Sequence, residues 1–309
     1  MNEISQSILK TLIYFDLHDY PLTLMEIWKW LYTERHGALL AGTAGSVMDI
    51  ERTLGQLSDK IGSKDGFYFL SGRQALVKLR LARYNISEQK FKRARKFIRI
   101  IRLIPFVRCV MVVNRLAYGN VHQDSDVDLA VIVQKNRLWL TRLLLIGWFS
   151  LLRVRPKQIA RSQAIDLSFF ISEDSLNLLS LKYPQDVLFP FWVNQFVPVY
   201  DDGIFKDFIK ANQWVKTYLP NAFPYRLNER RQVGESQLVK RVMRFIGDWD
   251  FWEKLAKSYQ LKIMPQDLKA MMNQDSRVVV NEKFLKFHRH DSRRAVQEKF
   301  DESVSRLVG

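Results

Sequence analysis

Residues 114–133 run NRLAYGNVHQDSDVDLAVIV, and the order of chemistry inside them decides how the rest of the chain is read. Asn114-Arg115, then Gly119 and a polar, turn-forming stretch, lead into Asp126-Val-Asp128 and an aliphatic, β-branched run. β-Branched residues favour pleated backbone, so a strand is expected to begin at the acids. Residues i and i+2 of a strand face the same way, which sets the two carboxylates side by side. Like charges that close repel, and a cation beside them relieves the repulsion.

Working outward, FVRCVMVV (106–113) is expected to be a buried strand and QAIDLSFFI (163–171) another, with Asp166 as a third carboxylate. Between them LWLTRLLLIGWFSLLRV (138–154) is expected as a buried helix. Its apolar stretch from Leu143 to Leu152, bracketed by Arg142 and Arg153, is too short to span a membrane. Three carboxylates on one sheet face suit two Mg²⁺ ions, hard cations that take oxygen ligands and share them with phosphate; Mn²⁺ is the substitute.

Upstream, residues 1–72 form a first unit. SQSILKTLIYFDLHDYP carries Ile8, Leu12 and Phe15 at helical spacing and stops before Pro21. Thr23 with Glu26, and Ser46 with Asp49, open two more helices in the manner of capping boxes. A small-residue loop (37–45) lies between these two helices. In the third helix Val47, Ile50, Leu54, Leu57 and Ile61 repeat at three and four. SKDGFYFLSG (63–72) is then expected as a short hairpin. Three helices and a β-wing make a winged helix-turn-helix order, serving either nucleic acid or protein contacts only. Asp49, Glu51 and Asp59 offset Arg52 and Lys60 on the third helix, a poor balance for reading a groove.

Residues 73–104 hold eleven Lys and Arg against Glu88 alone. They are expected to be a basic linker, broken at Asn85 or capped at Ser87, whose cations track phosphate or are merely solvated. The whole chain carries 48 Lys and Arg against 32 Asp and Glu, net +16, which favours polyanionic partners. Cys109, the only cysteine, excludes an intrachain disulfide and a cysteine zinc site. The N-terminus has no basic run of a signal peptide, so a cytoplasmic protein with no membrane partner is expected. Residues 173–309 are expected to be mainly helical, with SEDSLNLLSLKY, DWDFWEKLAKSYQLKI and the final stretch from Arg277 as the segments.

The pattern at 116–133, with IDL (165–167) supplying a later acid, resembles the nucleotidyltransferase superfamily of the DNA polymerase β-like fold. The combination with a winged-helix-like unit also resembles a group of bacterial two-domain proteins. The resemblance covers about residues 107–171. It implies an α+β protein with a nucleotidyltransferase core at 105–172 that moves an NMP from an NTP to a hydroxyl on a protein, a nucleic-acid end or a small molecule. It also implies Asp126, Asp128 and Asp166 as catalytic metal ligands. Nucleotide-binding candidates are Asn114, Arg115, Gly119 and Ser125. Where that family has Gly-Ser, this chain has Asn114-Arg115. Asn tolerates the left-handed backbone best after Gly. Arg115 replaces a hydroxyl contact either by pairing with phosphate or by folding onto Asp126 and Asp128 in place of the metals. The second outcome would leave a degenerate scaffold that binds nucleic acid or regulates.

Two further groups are weighed. His288, His290 and Asp291 lie among Lys286, Arg289, Arg293 and Arg294, which disfavours a metal; a solvated basic segment is expected there, with phosphate contact as the other option. Trp139, Trp148, Trp192, Trp214, Trp249 and Trp252 are expected as core anchors.

Overall fold

A computed structural model describes residues 1–33, 45–153, 164–224, 229–234 and 249–309; the small-residue loop expected at 37–45 falls almost wholly outside them. The fold is mixed, α+β, with two sheets.

The first unit consists of α1 (Glu3–Asp16), β1 (Leu22–Thr23), α2 (Leu24–Lys29), α3 (Val47–Gln56) and a hairpin of β2 (Ile61–Lys64) and β3 (Phe67–Leu70). Both expected capping boxes are formed, Thr23 with Glu26 and Ser46 with Asp49. Asp65 and Gly66, both at positive φ, close the hairpin, the turn whose twist matches paired strands. Strand β1 adds to its edge in the order β1-β3-β2.

Helix α4 (Ala75–Ile101) runs unbroken for 27 residues, so neither Asn85 nor Ser87 interrupts it. Buried Ser87 sends its Oγ–H to the Arg83 carbonyl at 2.8 Å, satisfying the hydroxyl without leaving the helix. Most of the basic surface expected here is occupied internally. Arg73 pairs with Asp16 and Asp19, and Arg80 with both carboxylate oxygens of Glu26. Arg83 and Lys90 are buried, while Arg95 and Arg102 bond to the carbonyls of Arg230 and Gly234. Lys78, Lys92, Lys96 and Arg99 stay exposed.

The second unit comprises β4 (Val107–Val112), α5 (Asn114–Ala117), β5 (Val127–Val133), α6 (Leu138–Leu151), β6 (Ile165–Ser172), α7 (Leu188–Asn194), β7 (Val197–Asp201) and α8 (Phe205–Ala211). It continues with α9 (Trp249–Ile263), α10 (Gln266–Met271), β8 (Val278–Val280), β9 (Phe284–Phe287) and α11 (Arg293–Leu307). Among the described residues the larger sheet has the order β7-β4-β5-β6-β9-β8. Only β5 and β6 pair in parallel, across α6; the other neighbours are antiparallel.

Among the described residues the region after 173 holds more helix than strand, and it also contributes β7, β8 and β9 to the larger sheet. SEDSLNLLSLKY holds only a 3-10 turn at Leu179–Leu181. The stretch from Arg277 forms two strands before α11, because Asn281 Oδ1 accepts from the N–H groups of Lys283 and Phe284 and turns the chain between two β-forming runs. Trp148 and Trp252 are corrected too, being about half exposed, whereas Trp139 is a core anchor.

Alternation along the strands makes two cores. Val110, Val112, Leu129, Val131 and Phe170 face α4 and α6. Met111, Ala130, Ile132, Phe169 and Ile171 face α7 and the first unit. Asp126 and Asp128 share the parity of Ala130 and Ile132, so the acids belong to the face that α1 and α7 cover.

Candidate active site

Asp128 and Asp166 are register partners on adjacent parallel strands. Three residues of β6 then oppose two of β5, since Asp128 pairs with Asp166 but Ala130 with Phe169. This bulge lets Asp166 and Phe169 serve one face despite their odd separation. Asp126 stands one residue before β5, and both Asp126 and Asp128 line a cavity of about 550 Å³. That size is ordinary for a small-molecule site.

Asn114 and Arg115 open α5 at the end of β4 and line the same cavity. The φ of Asn114 is +57°, the left-handed conformation expected of a residue standing in for Gly. Its Oδ1 accepts from Trp192 Nε1 at 2.7 Å, which fixes the turn to α7. Arg115 is exposed and, among the described residues, makes no ion pair; it is not folded onto Asp126 or Asp128. Its charge instead bears on His18, Tyr118 and His122. Burial, then Arg115, pushes His18 down to about 4, and burial with the Arg83 and Arg115 cations lowers His122.

Gly119, at φ +77°, ends α5 as a turn residue and does not line the cavity. Ser125 does line it, but its Oγ accepts from the His122 N–H at 3.1 Å and its carbonyl from Lys90 Nζ at 2.5 Å. Its first task is to hold the turn before the acids. Trp192, expected as a core anchor, is half-buried and forms part of the wall.

The structure brings two further elements to the site. Tyr14 and His18 of α1 line the cavity, so the first unit is one of its walls. It is fastened there by Tyr14 stacked on Phe191 at 3.8 Å, by the Tyr20 hydroxyl on the Tyr118 carbonyl, and by buried Asn120. Asn120 accepts from Arg83 and donates to the His18 carbonyl, both at 2.7 Å.

Lys286, His288, His290, Asp291 and Arg293 also line the cavity, which corrects the expectation of a solvated basic segment. His288 sits 3.1 Å from the Ser168 hydroxyl, and burial followed by the Lys286 cation pushes it down to about 3. An imidazole so neutral cannot supply positive charge at any ordinary pH. Nothing local in the sequence separates these residues from a solvated basic run. Their place follows from β9 pairing with β6, more than a hundred residues away in the chain.

Among the described residues, no three His, Cys, Asp or Glu side chains form a group that would hold a metal by itself. Mg²⁺ is commonly held by one or two carboxylates, waters and substrate phosphates, not by an all-protein cage. Asp126 and Asp128, with Asp166 in register beside them, fit an ion that arrives with a nucleotide and do not fit a self-sufficient ion site. Among the described residues no helix is long and apolar enough to cross a membrane. The chain matches no protein-family model, no curated protein and no solved structure.

Proposed function

We propose that the protein is a nucleotidyltransferase, moving an NMP from an NTP to a hydroxyl acceptor. The carrying observation is the pair Asp126 and Asp128 open to the cavity, with Asp166 in register on the neighbouring parallel strand. The left-handed Asn114-Arg115 turn stands on the same cavity. In this reading the exposed guanidinium of Arg115 grips the triphosphate by charge-assisted hydrogen bonds, and Trp192 keeps the Asn114 turn in place. Asp126, Asp128 and Asp166 would hold Mg²⁺, or Mn²⁺, which supplies charge neutralisation at the phosphates. Asp166 takes the acceptor's proton as the new O–P bond forms and the bond to pyrophosphate breaks. The core is then of the polymerase β-like kind, and the first unit, three helices with a hairpin wing, is a winged-helix module used as a wall.

Nucleic acid is the less favoured acceptor. The exposed side of α3 mixes Glu51, Arg52 and Gln56, with Asp59 exposed in the turn that follows, and α4 retains only four exposed cations. Calorimetric titration with each NTP, with and without Mg²⁺, tests the proposal. Metal-dependent binding that Asp126→Ala and Asp128→Ala abolish is expected. A folded wild-type protein that binds no NTP would instead favour a degenerate scaffold used for binding.

A further inference from the structure

The cavity holds a second set of polar groups that the transfer reading does not use. Lys286, on β9 in register with Phe169, is 3% exposed. It donates to the Ser276 carbonyl at 2.6 Å, and among the described residues it forms no ion pair. An ammonium carries three donors, so two remain for a ligand. The neighbouring cation, Arg293, is committed to Asp291 and Asp186. At the end of α7, Gln195 is 4% exposed and its Nε2 has no hydrogen-bond partner. Both residues line the cavity.

Trp192 ties the two together. It precedes Gln195 by three residues, so the two lie close on one side of the helix end, and Lys286 Nζ is 6.0 Å from its ring centroid. The same indole holds Asn114 through its N–H, so it stands between the turn assigned to the triphosphate and Lys286. An ammonium this buried, which feels Asp291, Asp186 and Asp275 but contacts none of them as an ion pair, and a buried amide donor without an acceptor both cost free energy. Each lacks the same contact, an oxygen carrying negative charge.

We propose that Lys286 and Gln195 form a subsite for an anionic group, carboxylate or phosphate, on a small hydroxyl-bearing acceptor. The proposal rests on the transfer reading and narrows its acceptor. Groups this buried are reached by a small anion and not by the end of a folded macromolecule. The neutral His288 beside Lys286 adds no competing cation and offers the acceptor a hydrogen-bonding edge.

The test titrates inorganic phosphate and, separately, succinate into the full-length protein, its Lys286→Met and Gln195→Leu variants and Asp126→Ala. Melting temperatures are recorded throughout. At least one probe should bind wild type, with affinity reduced tenfold or more by Lys286→Met and several-fold by Gln195→Leu. Asp126→Ala should leave that binding unchanged, and a saturating Mg²⁺–NTP should not displace it. Lys286→Met gives up the hydrogen bond to the Ser276 carbonyl but relieves a buried ammonium, so its melting temperature should stay close to that of wild type; if it fails to fold, Gln195→Leu carries the test. Which probe binds separates carboxylate from phosphate. Three results would overturn the subsite: binding of neither probe, binding indifferent to both substitutions, or displacement by NTP, which would assign Lys286 to the nucleotide's own phosphates. Lys286-dependent anion binding in a protein that binds no NTP would sink the transfer reading and leave the anion subsite standing.

Discussion

Asn114 carries two separable loads, a left-handed backbone and an acceptor for Trp192, and three substitutions take them apart. Alanine loses both. The hydrogen bond, 2.7 Å long and half-buried, contributes about 1 kcal/mol. A Cβ residue without a compensating side chain at φ +57° costs about 1–2 kcal/mol. Asn114→Ala should therefore destabilise by about 2–3 kcal/mol. Glycine loses the bond but not the backbone, adding about 0.4–1 kcal/mol of unfolded-chain entropy, so Asn114→Gly should cost about 1.5–2 kcal/mol. Aspartate keeps an acceptor and tolerates the conformation, so Asn114→Asp should stay within about 0.5 kcal/mol of wild type. Urea unfolding followed by tryptophan fluorescence resolves the order wild type, Asp, Gly, Ala. At about 2–4 °C per kcal/mol for a chain of this size, the same order should appear in thermal melts. An alanine variant as stable as the glycine variant would mean that the left-handed turn is not what Asn114 is there to hold.

Asn120→Ala should leave buried Arg83 short of its 2.7 Å acceptor and cost about 1–3 kcal/mol; an unchanged urea midpoint would mean that Asn120 contributes nothing to fastening the first unit. Glu26→Ala removes both the α2 capping box and the two-pronged Arg80 contact, for about 2–3 kcal/mol, while Glu26→Gln should keep most of the cap. His288 and His18 are held near 3 and 4, against about 6.5 in the unfolded chain. Both are neutral when folded and take up protons when unfolded, so the stability they contribute is complete above about pH 6.5 and is lost as pH falls toward those values. The slope approaches about 1.4 kcal/mol per pH unit for each. Urea midpoints between pH 6.5 and 5 should fall and His288→Gln should flatten the fall; a level profile would contradict the burial of both rings. Finally, duplex DNA bound through α4 has only four exposed cations to use, so replacing Lys78, Lys92, Lys96 and Arg99 by Ala should lessen the slope of log K against log salt by no more than about 3.6.

Some of this was legible from residue order and some was not, and the line falls between local and distant causes. Both capping boxes, the Asp65-Gly66 turn and the strand opening at Asp126 are set by neighbours within four residues, and each is where it was expected. So is the backbone at Asn114, because asparagine's tolerance of positive φ is a property of the residue itself. The α3 periodicity holds through Leu54, but the helix ends at Gln56 and Ile61, expected to continue it, opens β2. The cations of 73–104 were expected to track phosphate or to be solvated because their internal partners lie far off: Glu26 is 54 residues from Arg80, and Asn120 is 37 from Arg83. Lys286 and His288 looked like part of a basic run for the same reason. Only the pairing of β9 with β6 carries them to the acids, and pairing of strands so distant leaves no periodic trace in the sequence. The expected break at Ser87 failed differently: a serine's hydroxyl can cap a new helix or bond back within an old one, and burial beside the turn at Gly119 goes with the second.

The placement of the first unit bears on which acceptor the site would serve. A first unit that had to move or lie along a duplex would gain nothing from a buried arginine at its junction. Arg83 gives up its solvation to bond the Asp19 carbonyl and Asn120 across the junction with the second unit, an exchange that is favourable only while the two units stay together. Tyr14 and His18 of that unit line the same cavity as Asp126 and Asp128, so the cavity is bounded by both units and by the Lys286–Arg293 segment. In the proposed transfer, an acceptor entering this cavity would need a body small enough for the remaining space. The donors waiting there, Lys286 and Gln195, favour a body that carries its own negative charge.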